Sequence, residues 1–312
     1  MDRKLRNSLL LTLTALIWGS AFVAQSEGSN YIGTYSFTGV RFLIASAVLL
    51  PFIKLSERSA KRDDAALQAG KGRAGSIGLW TAGIICGALL CSASLFQQEG
   101  IAQGTGAGKA GFLTAIYIVL VPLVNLVLFR KRTAPTIWIS VLLALAGLYL
   151  LCVTEALTFR RSDLLVALCA LIFAFHILAV DRFSPIYDSL KLAAIQFFTC
   201  GVMASALMIP LEIVPVGVKA WLATFAAPGA WISLAYAAVL SSAIGYTLQI
   251  VGQKGLNPTV ASLLMSLESV FAVLAGWLIL HQTLTLRETA GAILVFVAVI
   301  LAQIPERQKV EK

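Results

Sequence analysis

The sequence predicts an all-α integral membrane protein with ten transmembrane helices, arranged as two inverted five-helix repeats. Composition is the first reason: of 312 residues 59% are hydrophobic and 12% charged, with a mean hydropathy of +0.87, which no ordinary soluble domain reaches. The second is that the apolar residues come in long runs. A run of ~18 or more apolar or small residues crosses a ~30 Å hydrocarbon layer at ~1.5 Å per residue. The third is duplication. Residues 110–132, AGFLTAIYIVLVPLVNLVLFRKR, return as residues 261–283, ASLLMSLESVFAVLAGWLILHQT. Without a gap, Gly104 matches Gly255, Ala110 matches Ala261, Leu113 matches Leu264, Val119 matches Val270 and Leu123 matches Leu274.

The elements follow in order. Arg3, Lys4 and Arg6 precede a run over about 8–25 that fits a signal peptide or a first spanning helix. The helix is favoured. The tract outruns a usual signal core, and Leu10-x-x-Leu13-x-Ala15-Leu16-Ile17 recurs as Leu165-x-x-Leu168-x-Ala170-Leu171-Ile172. Further runs at about 34–53, 77–97, 108–129 and 136–153 complete a first repeat, residues 1–157. The second repeat, 158–312, offers runs at about 163–180, 192–212, 230–251, 258–280 and 287–304. Between the second and third runs, residues 54–76 are rich in charge, Gly and Ala and read as a flexible connector.

Ten crossings put both termini on one side. With that side cytoplasmic, only Lys109, Arg160, Arg161, Lys219 and Arg287 of the 24 basic residues fall outside, and Arg41 lies within a helix. The positive-inside rule therefore predicts cytoplasmic termini. Five helices per repeat is an odd number, so the second copy enters the membrane from the opposite face. Inverted repeats suit a carrier, because two related bundles can expose a midplane site to each side in turn. The net charge of +9 is explained by this topology, and nucleic acid is not an expected partner. Cys86, Cys91, Cys152, Cys169 and Cys200 lie inside apolar runs without CxxC spacing and read as small buried hydrophobes.

Trp18-Gly19-Ser20-Ala21-Phe22, Arg41-Phe42 and the duplicated fourth-helix segment resemble the EamA-type transporters of the drug/metabolite transporter (DMT) superfamily, over about residues 9–303. The resemblance implies a ten-helix inner-membrane carrier with a cavity between the halves, often an exporter of amino acids or other small metabolites. Family members often close each copy of the segment with a Gly-Glu-Arg-like end. Here the copies end Phe129-Arg130-Lys131-Arg132 and Leu280-His281-Gln282-Thr283, so no role for a glutamate is carried over.

Residues 104–111, GTGAGKAG, contain a literal GxGxxG and a Gly-Lys pair. A phosphate loop would need a preceding strand, a Ser or Thr where Ala110 stands and a glycine where Gln103 stands. The stretch reads instead as a helix entrance. Its second copy offers Asn257 as a cap and Pro258 in the first turn.

Ionisable groups inside a bilayer cost about 2.5–3.5 kcal/mol each at a helix centre, which makes each a candidate for function. Glu268 is the leading one, either binding a proton or a substrate amine or bridging helices as a neutral acid. Arg41 fits a snorkelling or carbonyl-bonded arginine and equally a cavity group that holds a carboxylate. His176 reads as a bonded core histidine or a proton relay. Gln98 and Gln249 occupy matched positions, as do Tyr117 and Glu268, the pattern of a site on the pseudo-two-fold axis or of helix-to-helix hydrogen bonds. Trp18 and Trp80 read as substrate walls or packing aromatics, whereas Glu99 and Lys109 sit near outer helix ends as interfacial anchors.

The sequence contains no HExxH, Asp-rich cluster or soluble catalytic domain. It predicts a secondary transporter in preference to a membrane-embedded enzyme or sensor, with no cofactor or metal. An exporter of amino acids or similar amphipathic compounds competes with an importer or exchanger of a sugar-like or phosphorylated solute. Its expected partners are the bilayer and a small-molecule substrate, with protons as candidate coupling ion and a homodimer as candidate assembly.

Overall fold

The computed structural model describes residues 2–63, 78–131, 133–152, 160–280 and 285–304. Ten helical segments run through them: α1 Arg3–Ser29, α2 Thr34–Asp63, α3 Leu79–Ala102, α4 Ala107–Ala115 and Tyr117–Phe129, α5 Pro135–Cys152, α6 Arg161–Phe183, α7 Ser189–Val216, α8 Pro228–Gln253, α9 Pro258–Met265 and Leu267–Leu280, and α10 Leu286–Gln303. Among the described residues nine are long and apolar enough to cross a membrane, and α9 is the shorter apolar one.

Inversion is visible in which helix ends meet. At the end where α1 begins, Asn7 Nδ2 donates to the Lys254 carbonyl at 2.7 Å, just before α9 starts. At the opposite, distal end, Asp163 at the start of α6 takes hydrogen bonds from Thr105 Oγ1 (3.0 Å) and Lys109 Nζ (2.5 Å) at the start of α4. Equivalent helices α4 and α9 thus enter from opposite ends. The packing repeats the same exchange: α1 lies against α8 and α9, α6 lies against α3 and α4, and α2 with α7 and α5 with α10 pair across the axis. Gly104 and Gly255, matched in sequence, both take positive φ (98° and 76°), a conformation that glycine adopts without steric cost.

Helix contact relies on small residues, as expected where apolar lipid supplies no hydrophobic drive between helices. A Cβ on Gly147 of α5 would come 2.8 Å from the Gly291 carbonyl oxygen of α10, and the reciprocal Cβ 2.6 Å from Gly147 oxygen. Asn257 caps α9 by accepting from Thr259 N at 2.9 Å, with Pro258 in the first turn. Residues 104–111 follow a helix, with no strand among the described residues before them. Trp80 is exposed and the five cysteines are free.

The structure departs from the sequence expectation in places. α2 continues past Pro51 to Asp63, so residues 54–63 are helix and not connector; their Leu, Glu, Lys and Ala content favours that state. Residues 64–77 lie outside the described part. Tyr236–Tyr246 of α8 is wound as π-helix, as is Ile209–Ile213 of α7, and a short helix, Val218–Ala223, precedes α8. Lys109 is no free interfacial anchor, since it is paired with buried Asp163 across the repeats. The helix end at 281–283 lies outside the described residues, as do Lys71, Arg73, Arg132, Arg307, Lys309, Lys312 and the side chains of Arg58, Lys61 and Arg62.

Candidate functional site

Between the halves lies a cavity of about 40 Å³, room for about two or three water molecules. It is built by both repeats in matched pairs: Trp18 and Phe173, Phe22 and Ile177, Thr114 and Met265, Tyr117 and Glu268 all line it. The first two pairs stand at the α1/α6 register noted in sequence and the others at the α4/α9 register. A lining shared this way straddles the pseudo-two-fold axis.

The sequence Trp18-Gly19-Ser20 sets one wall. Gly19 lets α9 approach so closely that a Cβ there would lie 2.4 Å from the Glu268 carbonyl oxygen and 2.8 Å from Ala272 N. Trp18 turns into the cavity, donates from Nε1 to the Ser241 carbonyl at 3.1 Å, and packs against Tyr246 with ring centroids 4.7 Å apart and planes tilted by 54°. Ser20 Oγ meets Tyr236 Oη at 2.5 Å. The π-wound segment of α8 supplies Ser241 and Tyr246 to the same lining, and π turns often mark functional stretches.

Two ionisable groups face this space. Glu268 is 3% exposed, and the hydrogen bond it receives, from Tyr117 Oη, is long at 3.4 Å. Arg41 is 2% exposed, donates from Nη1 to Gln25 Oε1 at 3.2 Å, and lies 4.7 Å from the Phe42 ring centroid. Its Nε has no acceptor among the described residues, and no ion pair joins it to Glu268. Gln249 also lines the cavity, with an unpartnered side-chain oxygen. A buried polar group ordinarily has a partner, so these atoms are acceptors and donors held in reserve inside an apolar shell.

The structure brings together Trp18, Arg41, Tyr117, Gln249 and Glu268 of the residues singled out in sequence. Gln98 and His176 do not line the cavity. Gln98 Nε2 donates to the Gln25 carbonyl at 3.1 Å, tying α3 to α1. His176 Nε2 lies 3.2 Å from Gln196 Oε1, and the ring is edge-on to Phe173 and Tyr246. Sequence reasoning missed Gln25, Gln97, Thr114 and Tyr246. Gln25 and Gln97 sit near helix ends, where a glutamine is unremarkable. Thr114 was recoverable as the partner of Met265 in the repeat alignment. No residues convergent enough to hold a metal ion occur in the described part.

Comparison with known proteins agrees with this architecture. The model of the EamA-like transporter family matches twice, over residues 6–153 and 160–303. An uncharacterized transporter of Archaeoglobus fulgidus is 26% identical over 306 residues, covering 97% of this chain and 87% of its own. A solved crystal structure superposes with a TM-score of 0.72 over 96% of both chains at 17% identity, a likeness of fold. Matched in both halves by one family model, the chain belongs to the EamA-like transporter family, within the drug/metabolite transporter superfamily.

Proposed function

We propose that this transporter carries zwitterionic metabolites, amino acids or similar amphipathic compounds, and exports them by alternating access. The observation that carries the reading is that Arg41 and Glu268 line one cavity without pairing with each other. Keeping an unpaired cation and an unpaired acid inside a bilayer is costly for the apo protein. A ligand bearing a carboxylate and an ammonium offsets both costs at once. The guanidinium holds the carboxylate, preferably through two N–H groups; Glu268 and the free oxygen of Gln249 receive the ammonium; Trp18, Phe22 and Phe173 cover the apolar part.

At about 40 Å³ the cavity is smaller than the ~300–1,000 Å³ of ordinary ligand pockets. Loading therefore requires the bundles to part, and the matched lining supports rocking about the two-fold axis. A phosphorylated solute would call for several cavity cations, and Arg41 is the one cationic lining residue among those described. Purified protein in liposomes tests the reading. Counterflow of amino acids, with and without a pH gradient, is expected together with resistance of expressing cells to toxic amino-acid analogues. Exchange of an organic phosphate with no amino-acid flux would overturn it.

A further inference from the structure

A second cavity, of about 610 Å³, lies at the distal end of the bundle on its side, away from the central one. α3 forms its floor, where Leu95, Glu99 and Gln103 recur every four residues and so share one face. Arg161 and Leu165 of α6 form one wall, and Leu207 of α7 belongs to the other. The groove is graded along its length. Glu99, Gln103 and Arg161 lie at the helix ends, and Leu95, Leu165 and Leu207 lie about a turn deeper.

The charges are not spent on each other. Glu99 accepts from Gln103 Nε2 at 2.8 Å and forms no ion pair, and Arg161 has no hydrogen-bond or ion-pair partner among the described residues. The flanks of the groove face outward: Leu164 and Leu168 on α6, and Phe198, Val202 and Leu211 on α7, are all exposed large apolar residues. On spanning helices these stripes face lipid, so the groove opens sideways into the bilayer.

We propose that this groove binds a phospholipid with a zwitterionic head, of the phosphatidylethanolamine class, from the leaflet at the distal end. Arg161 takes the phosphate, Glu99 with Gln103 takes the ammonium, and an acyl chain lies along Leu95, Leu165 and Leu207. Charge of both signs at the polar end of one groove selects an ammonium-bearing lipid over an anionic one. The apolar depth of the groove selects a lipid over a soluble zwitterion.

Native mass spectrometry of the protein released from micelles holding equal phosphatidylethanolamine and phosphatidylglycerol tests this. Wild type is expected to retain phosphatidylethanolamine about tenfold in preference. Glu99→Gln should abolish the preference while keeping both lipids, Arg161→Ala should reduce retention of both, and Leu165→Trp should block the groove. Lys4→Ala, at the opposite end of the bundle where α1 begins, is the control. Equal retention of the two lipids by wild type overturns the proposal. So does unchanged selectivity in Glu99→Gln together with unchanged retention in Leu165→Trp, and these two variants decide if Arg161→Ala does not fold.

Discussion

Gly19→Ala adds one methyl group at the tightest contact of the central site. Its Cβ would sit 2.4 Å from the Glu268 carbonyl oxygen and 2.8 Å from Ala272 N, both backbone atoms of α9. Ordinary carbon contacts begin near ~3.4 Å, so α9 must retreat by about 1 Å or the methyl must be accommodated by bending α1. Overpacking of this kind costs about 1–3 kcal/mol. The atom displaced first belongs to Glu268, so the penalty falls on the geometry of the site as well as on stability. Thermal unfolding in lipid nanodiscs should show a Tm lowered by a few degrees, and liposome uptake a KM raised at least several-fold. Gly78→Ala is the matched control, because a Cβ there meets nothing within 4 Å. If Gly19→Ala unfolds and transports like Gly78→Ala, the close approach of α1 to α9 does not set the position of Glu268.

Asp163→Asn and Lys109→Met should each destabilise by about 1–3 kcal/mol, and the double variant by clearly less than the sum, because one partner leaves the other without its ion pair; chemical unfolding of all four proteins checks the coupling. Asn257→Ala removes the cap bond to Thr259 N and should cost about 1 kcal/mol in the same assay. Glu268→Gln should reach the membrane at normal levels yet lose transport, or lose its dependence on external pH; a wild-type rate with an unchanged pH profile would remove Glu268 from the mechanism. Reporter fusions at Val218 should score on the side opposite to fusions at Ala60 and Lys312, and a common side for all three would contradict ten crossings.

The spans were legible because a bilayer admits few ways to satisfy a backbone, and apolar length alone marks them. The inversion was legible too, from five runs per copy and the register linking Tyr117 to Glu268. Trp18, Arg41 and Glu268 stood out because a large or charged side chain in such a run has a cost that needs a reason. Gln25 was not legible: its role depends on α2 bringing Arg41 beside the distal part of α1, a relation set by helix packing and not by spacing along the chain. Tyr246 reaches the site through a π-wound stretch that no apolar period announces. Gln98 matched Gln249 in sequence, yet the axis is approximate, and only Gln249 faces the cavity while Gln98 is spent on the Gln25 carbonyl.

In the proposed function Arg41 and Glu268 hold the two ends of one zwitterion. Uptake competition in proteoliposomes tests it most directly, using a transported amino acid, the amine left when its carboxyl is removed and the acid left when its amino group is removed. Wild type should prefer the amino acid to either analogue by about tenfold or more, as expected for a lost charged hydrogen bond of ~1.5–3 kcal/mol. Arg41→Gln should lose the preference over the amine, and Glu268→Gln the preference over the acid. Wild-type selectivity in both variants would contradict the account.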